Sequence, residues 1–497
     1  MKNYIPATFL LTFIVVGALM GLYFLPPMSV GGKPLRKVDL LADIRPDVEE
    51  EVCDSDTIVL PPPVKPIFVD TCKTGITCIE DYSDSTMRGM KHFYEALSKV
   101  KTMKRPVRIA YFGDSFIEAD IFTADLREML QQEFGGCGVG YVPVTSSISG
   151  YRPTVRHTFG GWSSHSSNDS VGFDKMQQDI SGHYFFPREG AYVQLKGQSK
   201  YASRLDTCEV STFYFLNKGF AAVRSKVNNA VEGELHEEVG TGGVQAVSVR
   251  GRIGQVRWSV EHADSATFYG VAMDGKQGIS LDNFSVRGSS GLHLRSIPLH
   301  TLCDFQRLRP YDLIVVQYGL NVATERGVKY DGYKKGMLSV IEHLKTAFPE
   351  TSILLVSVGD REYKNENGDL RTMPGVKNLI RYQQSIAADS HIAFWNMYEA
   401  MGGQGSIVDM IGQKMANLDY THINFKGGRH LAGILFETLM YGKELYERRK
   451  AYEEDYQISL SVRCSNGIVF VLAVSMSLCP GCYSGIVPTV GAASHTR

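Results

Sequence analysis

Three short and almost unbroken apolar runs most constrain what this chain can become: Val107-Arg-Ile-Ala-Tyr-Phe112, Asp312-Leu-Ile-Val-Val-Gln-Tyr318 and Ser352 to Val358. Each is too short for a buried helix and rich in β-branched or aromatic residues, so each reads as a strand covered on both faces. Between and after them lie helical patterns over Lys334 to Ala347 and Val376 to Asp389, a further strand at His391-Ile-Ala-Phe-Trp395, and a closing helix over 427–450. Met87, Met90, Phe93, Leu97 and Val100 recur near the helical period and predict a helix over Thr86 to Val100. This alternation predicts an α/β domain with a parallel sheet flanked by helices, binding its ligand at the strands' carboxyl ends.

The pattern changes over 151–277. Short alternating segments divided by Gly, Ser and Asn replace it, including Ala191-Tyr-Val-Gln-Leu195, Glu209-Val-Ser-Thr-Phe-Tyr-Phe215, Gln255-Val-Arg-Trp-Ser-Val260 and Ala266-Thr-Phe-Tyr-Gly-Val-Ala272. They predict a β-sandwich or jelly roll inserted between two halves of the α/β domain, 86–150 and 278–450. Its aromatics, Trp162, Tyr192 and Trp258, can stack on sugar faces or fill a core; Trp258 reads as core. Trp162, in Gly-Gly-Trp-Ser-Ser-His, lies in a polar loop and is the better ligand candidate.

Chemistry is concentrated at the strand ends. Gly113-Asp114-Ser115 closes the first apolar run just before a helical stretch, and a hydroxyl there lies beside backbone N–H groups able to hold an oxyanion. The same tripeptide suits a turn, and serine is a good helix cap, so the fragment alone leaves both roles open. Gly319-Leu320-Asn321 follows the second run, where Asn321 is an oxyanion donor or a loop amide satisfying its own backbone. Asp419-Tyr-Thr-His422 sits in a polar turn; its carboxylate and imidazole can face one point, the acid orienting the base.

In this order, the segments resemble the blocks of the SGNH (GDSL-like) hydrolase superfamily, a three-layer fold. The resemblance implies that Ser115 is the nucleophile, His422 its base and Asp419 the acid that orients it. The oxyanion would be received by Ser115 N–H, by Asn321 and by a glycine of the second block. That glycine is best matched by Gly288 in Val-Arg-Gly-Ser-Ser, with Gly291 as the fallback; Gly288 also suits a simple turn. Asp360, after the strand Ser352 to Val358, is a rival acid with no histidine at useful spacing.

Gly-Asp-Ser-Phe-Ile-Glu-Ala-Asp-Ile-Phe-Thr-Ala-Asp-Leu-Arg, followed by Phe-Gly-Gly-Cys-Gly-Val-Gly-Tyr-Val142, is similar to the bacterial peptidoglycan O-acetylesterase branch. That branch carries a β-rich insertion between its first and second blocks. Here about 160 residues separate them, far more than an ordinary βα connection. Phe116 departs from the branch, which often has His after the serine. The resemblance implies a carbohydrate O-acetylesterase working through an acetyl-serine, without metal or organic cofactor, on an O-acetylated polysaccharide, peptidoglycan foremost. The alternatives are acetyl transfer by the same triad and a non-catalytic glycan-binding protein.

Ile5 to Leu25 is an apolar run long enough to span a bilayer, so 1–26 is expected to be an anchor, or else a cleaved signal. Either exports the rest of the chain to the periplasm or cell exterior. A Pro- and Asp-rich stretch over 27–85 is expected to be a stalk, and 451–497 a tail whose role the sequence leaves open. Cys53, Cys72 and Cys78 invite a disulfide in an oxidising space, whereas Cys479-Pro-Gly-Cys482 lacks the context of a redox or zinc motif. A net charge of −1 and basic residues scattered along the sequence give no sign of nucleic-acid binding.

Overall fold

The computed structural model describes residues 72–83, 89–169 and 171–465, with short pieces before residue 35, and side chains as far as Ala451. The run 5–25 and the expected stalk before Cys72 fall largely outside the described residues, as does the tail beyond Ser465. Among the described residues, no helix is long and apolar enough to cross a membrane.

The α/β half is a six-stranded sheet. Its strands are β1 (Glu80–Asp81), β2 (Val107–Gly113), β3 (Ile279–Ser285), β4 (Leu313–Gln317), β5 (Ser352–Val356) and β6 (Ala393–Trp395). They lie in the order β3-β2-β4-β5-β6-β1, all parallel except β1 at the edge. Every residue of β4 and β5 is buried, as helices on both faces of the sheet require. The longer helices are α1 (Lys91–Lys99), α2 (Thr123–Phe134), α3 (Leu299–Leu308), α4 (Asp331–Ala347), α5 (Pro374–Asp389) and α6 (Phe425–Ser465). The closing helix α6 therefore runs beyond the expected end at 450.

Register fixes the site. Gly113 lies opposite Ser285 on one side and Gln317 on the other, so β3, β2 and β4 end level in mid-sheet. The loops carrying Gly288, Ser115 and Asn321 leave from adjacent strands where the chain order turns, the usual ligand crevice of such sheets.

The stalk assignment needs correction from Cys72 onward. Cys72 and Cys78 form a disulfide, β1 pairs with β6, and Thr77 carbonyl accepts hydrogen bonds from Trp395 Nε1 (2.9 Å) and Thr438 Oγ1 (3.0 Å). Pro and Asp content marked the segment as unfolded, but its backbone completes a sheet edge.

The insertion is a seven-stranded antiparallel sheet whose first strand, Gly140–Pro143, already lies before residue 151. Its strands Cys208–Val227 and Gln255–Asp274 are long, and bulges interrupt their pairing at three places. Trp258 stands opposite Ser225, yet its indole N–H reaches Ser211 Oγ at 3.2 Å. A straight strand would put those two serines about 46 Å apart. The sheet folds over on itself, and its two halves enclose Phe213, Phe215, Val223, Trp258 and Phe268 as a sandwich core.

Buried ions join the sandwich to the α/β half at both ends. Asp120 accepts from Arg152 Nε (2.8 Å), Thr154 (2.5 Å), Thr123 (2.8 Å), Asn283 (3.0 Å) and, more weakly, Arg127 (3.3 Å). Arg309 bridges Asp274, at the end of the last sandwich strand, to Asp282 on β3, and both arginine and Asp282 are fully buried. Burial alone would push Asp120 up, but Arg127 and Arg152 hold it far below the usual carboxylate range. Removing one partner strands the others uncompensated. We expect Asp120→Ala to lower the unfolding free energy by about 3–5 kcal/mol in urea titrations. Because the folded value is depressed, this contribution is complete above about pH 4 and is lost as pH falls below it.

Candidate active site

Gly113 gives Ser115 its place. A Cβ there would lie 2.9 Å from Ile117 Cδ1 and 3.1 Å from Gln317 carbonyl, so only glycine lets the chain turn directly off β2. Ser115 is half-buried and donates to His422 Nε2 at 2.9 Å; His422 Nδ1 meets Asp419 Oδ2 at 2.8 Å. Asp419 Oδ1 meanwhile accepts the backbone N–H groups of Thr421 (3.0 Å) and His422 (2.9 Å). One carboxylate therefore shapes the turn and aims the ring, and offsets the left-handed Tyr420 (φ 55°) inside it. Burial raises Asp419, but the backbone and ring N–H groups of His422 outweigh it, leaving its carboxyl below the ordinary range. An ionised Asp419 fixes the proton on Nδ1 and leaves Nε2 as the acceptor facing Ser115.

Asp114 is a residue that sequence reasoning passed over. It is 2% exposed, accepts the Phe116 N–H at 3.0 Å and receives Asn321 Nδ2 at 3.3 Å. Asn321 also donates to Ser289 carbonyl at 3.0 Å, so both protons of its amide are engaged. Receiving an oxyanion requires exchange of the longer bond, to Asp114, a change that resting sites commonly undergo on binding substrate. Ser289 is held in turn: its Oγ accepts the Gly291 N–H (3.0 Å) and meets His293 Nδ1 (2.8 Å).

The two glycines of the second block now separate. Gly291 is demanded by the Tyr318 ring, 2.6 Å from a notional Cβ, and its N–H is spent on Ser289. Gly288 is the left-handed third residue (φ 76°) of an exposed turn closed by Ser289 N–H to Val286 carbonyl, 3.1 Å. Its own N–H makes no hydrogen bond among the described residues. Asp360 is buried elsewhere, accepting from Thr372 (2.9 Å) and the Ile407 N–H (3.1 Å), and has no contact with His422.

Trp162 is not in a loop. It lies in the strand Val155–Ser166, donates its indole N–H to Tyr192 carbonyl at 2.8 Å, and packs edge-on against Phe268 of the sandwich core. The flanking glycines that suggested a loop mark a bulge between Gly160 and Trp162. A cleft of about 470 Å³ lies nearby, between Glu118–Asp120 and Ser285–Arg287 of the α/β half and Thr145, Phe159, Ser164 and His165 of the sandwich. Trp162 does not line it.

No family model matches the chain, and no curated protein matches it. Among solved structures, a peptidoglycan O-acetylesterase is similar over 74% of this chain and 99% of its own, with 20% identity and a TM-score of 0.62. A family two carbohydrate esterase from Cellvibrio japonicus aligns over 61% of this chain and 98% of its own, at 9% identity and a TM-score of 0.25. The likeness shows a fold of the SGNH type.

Two variants test the geometry. Asp419→Asn should lower turnover of a small acetyl ester by about a thousandfold or more, through loss of the imidazole's tautomer and aim, which steady-state kinetics will show. Burial pushes Asp114 up to about 6, against the pull of the Phe116, Leu320 and Gly319 N–H groups and of His422. Its folded value exceeds the ordinary 3.8, so protonation favours the fold. Relative to Asp114→Asn, the wild type should gain stability in urea as pH falls from about 7.5 to about 5. The same variant should lose turnover, because an amide facing both Phe116 N–H and Asn321 Nδ2 sets donor against donor whichever way it is turned.

Proposed function

We propose that this chain is a serine esterase that removes O-acetyl groups from a polysaccharide, with peptidoglycan the foremost substrate. The observation that carries the reading is the Ser115–His422–Asp419 relay at the carboxyl end of β2. His422 takes the proton as Ser115 Oγ attacks the acetyl carbonyl. The N–H groups of Ser115 and Gly288 and the amide of Asn321 receive the oxyanion. The sugar oxygen departs with the proton held on His422, leaving an acetyl-serine. Water, deprotonated by His422, adds to this ester; collapse releases acetate and restores Ser115. A cleft bounded by hydroxyls and rings, lined by Glu118–Asp120 just after Ser115 in the chain though not by Ser115 itself, supports a glycan, which needs polar contacts along an extended groove. The similar peptidoglycan O-acetylesterase supports the choice of polymer. The apolar run 5–25 supports a membrane-anchored enzyme that works outside the cytoplasm, and the Cys72–Cys78 disulfide is consistent with an oxidising compartment.

Acetate release by the full-length protein from O-acetylated peptidoglycan, measured beside O-acetylated xylan, tests this. Release should be faster from peptidoglycan and absent in folded Ser115→Ala; equal rates would remove the polymer assignment, and an active mutant the mechanism. Asn321→Ala should lower turnover by about a hundredfold.

A further inference from the structure

The opposite end of the sheet carries an open groove of about 1180 Å³ between the hydrolase half and the sandwich. Its walls include Lys101, Lys104, Arg108, Arg204, Arg250 and Lys276. Lys101, Lys104, Arg250 and Lys276 are exposed and form no ion pair among the described residues. Arg204 donates only to Gly136 carbonyl, at 3.4 Å. Arg105 also lines the groove but is neutralised by Asp312, and Asp274 is already held by Arg309. Glu209, which accepts the Lys276 N–H, is the remaining carboxylate. One charge on Arg309 does not neutralise both Asp274 and Asp282, so Arg108 balances that cluster and the other five cations face Glu209 alone, in a molecule whose net charge is −1.

Arg108 sharpens the case. Its side chain is 12% exposed, its nearest carboxylate oxygen is 4.0 Å away on Asp274, and its Nε is buried without a partner. No hydrogen bond from this guanidinium is formed among the described residues, although the geometry of the group suits paired oxygens. A buried cation with unused donors at the foot of a cationic groove is costly unless an anion completes it.

We infer that this groove binds an anionic polysaccharide, a glycan bearing carboxylate or phosphate groups, at a site separate from the esterase centre. The concave shape favours a chain over a flat lipid surface, which could not reach Arg108. The half-buried Phe134 and the buried Tyr214 offer no open ring on which a nucleic-acid base could stack. Arg108 opens β2 and Ser115 follows its other end, so the two sites are about 23 Å apart along the strand. The inference stands independently of the esterase reading. A polyanion held here would keep the enzyme on an envelope polymer while its other end works.

Binding of labelled polygalacturonate and of phosphomannan to the full-length protein, with neutral mannan as control, tests the site. Either polyanion should bind at about 25 mM salt and weaken markedly at about 300 mM, while mannan should not bind. Which polymer binds identifies the oxyanion. Lys104→Glu combined with Arg250→Glu, both exposed, should weaken binding tenfold or more and leave turnover of a small acetyl ester unchanged. Arg108→Gln should weaken it too where the variant folds. Failure of both polyanions to bind, or undiminished binding by the double variant, overturns the proposal. So does tighter groove-dependent binding of phosphatidylglycerol vesicles or of a thymidine oligonucleotide.

Discussion

The Asp120 carboxylate is the interaction on which the arrangement rests. It is fully buried, five residues beyond Ser115, and its partners come from α2, from β3 and from the segment between the first two strands of the sandwich. A carboxylate in such surroundings is tolerable only when its lone pairs are filled, so each partner is held where it stands. Ala119 and Asp120 both have positive φ, 55° and 63°, an unfavourable backbone that these bonds offset. The chain therefore reverses tightly after Ser115, and the same carboxylate sets the wall of a cleft. Arg309 does the corresponding work where the chain returns, tying Asp274 to Asp282. The sandwich is consequently fixed to the α/β half by two buried charge clusters, which a flexible tether would not provide.

What was legible in the sequence was local. Ser115 at a strand end and Asp419 three residues before His422 are short-range patterns, and parallel strands announce themselves as apolar runs. The sandwich was legible as a change of period, although its first strand, Gly140–Pro143, was hidden in a glycine-rich stretch that resembles a loop. Trp162 was misread because its polar neighbours are the outward residues of a strand, and Gly161 is needed there by the close approach of Ala191. The boundary at 85 failed because a two-residue edge strand carries too little hydrophobic pattern to distinguish it from a linker. Asp114 and Ser289 act on Asn321 through contacts that join separate loops, which no spacing reveals. The basic groove was invisible for the same reason: its cations are spread from Lys101 to Lys276 and meet only after the sandwich closes on the hydrolase.

Asp114 shows how stability and reactivity are set against each other at this site. An ionised carboxylate at 2% exposure is destabilising, and burial raises its pKa to about 6. It nevertheless gives Asn321 a partner whose bond, at 3.3 Å, is long enough to exchange for a better one. In the proposed reaction, an oxyanion forming on the acetyl group is such a partner, because charge-assisted bonds are shorter and stronger. The second amide proton keeps its bond to Ser289 carbonyl, so the side chain stays aimed while the first proton changes acceptor. Stabilisation is then greatest when charge develops on the substrate, which is the condition for speeding the reaction rather than merely tightening binding.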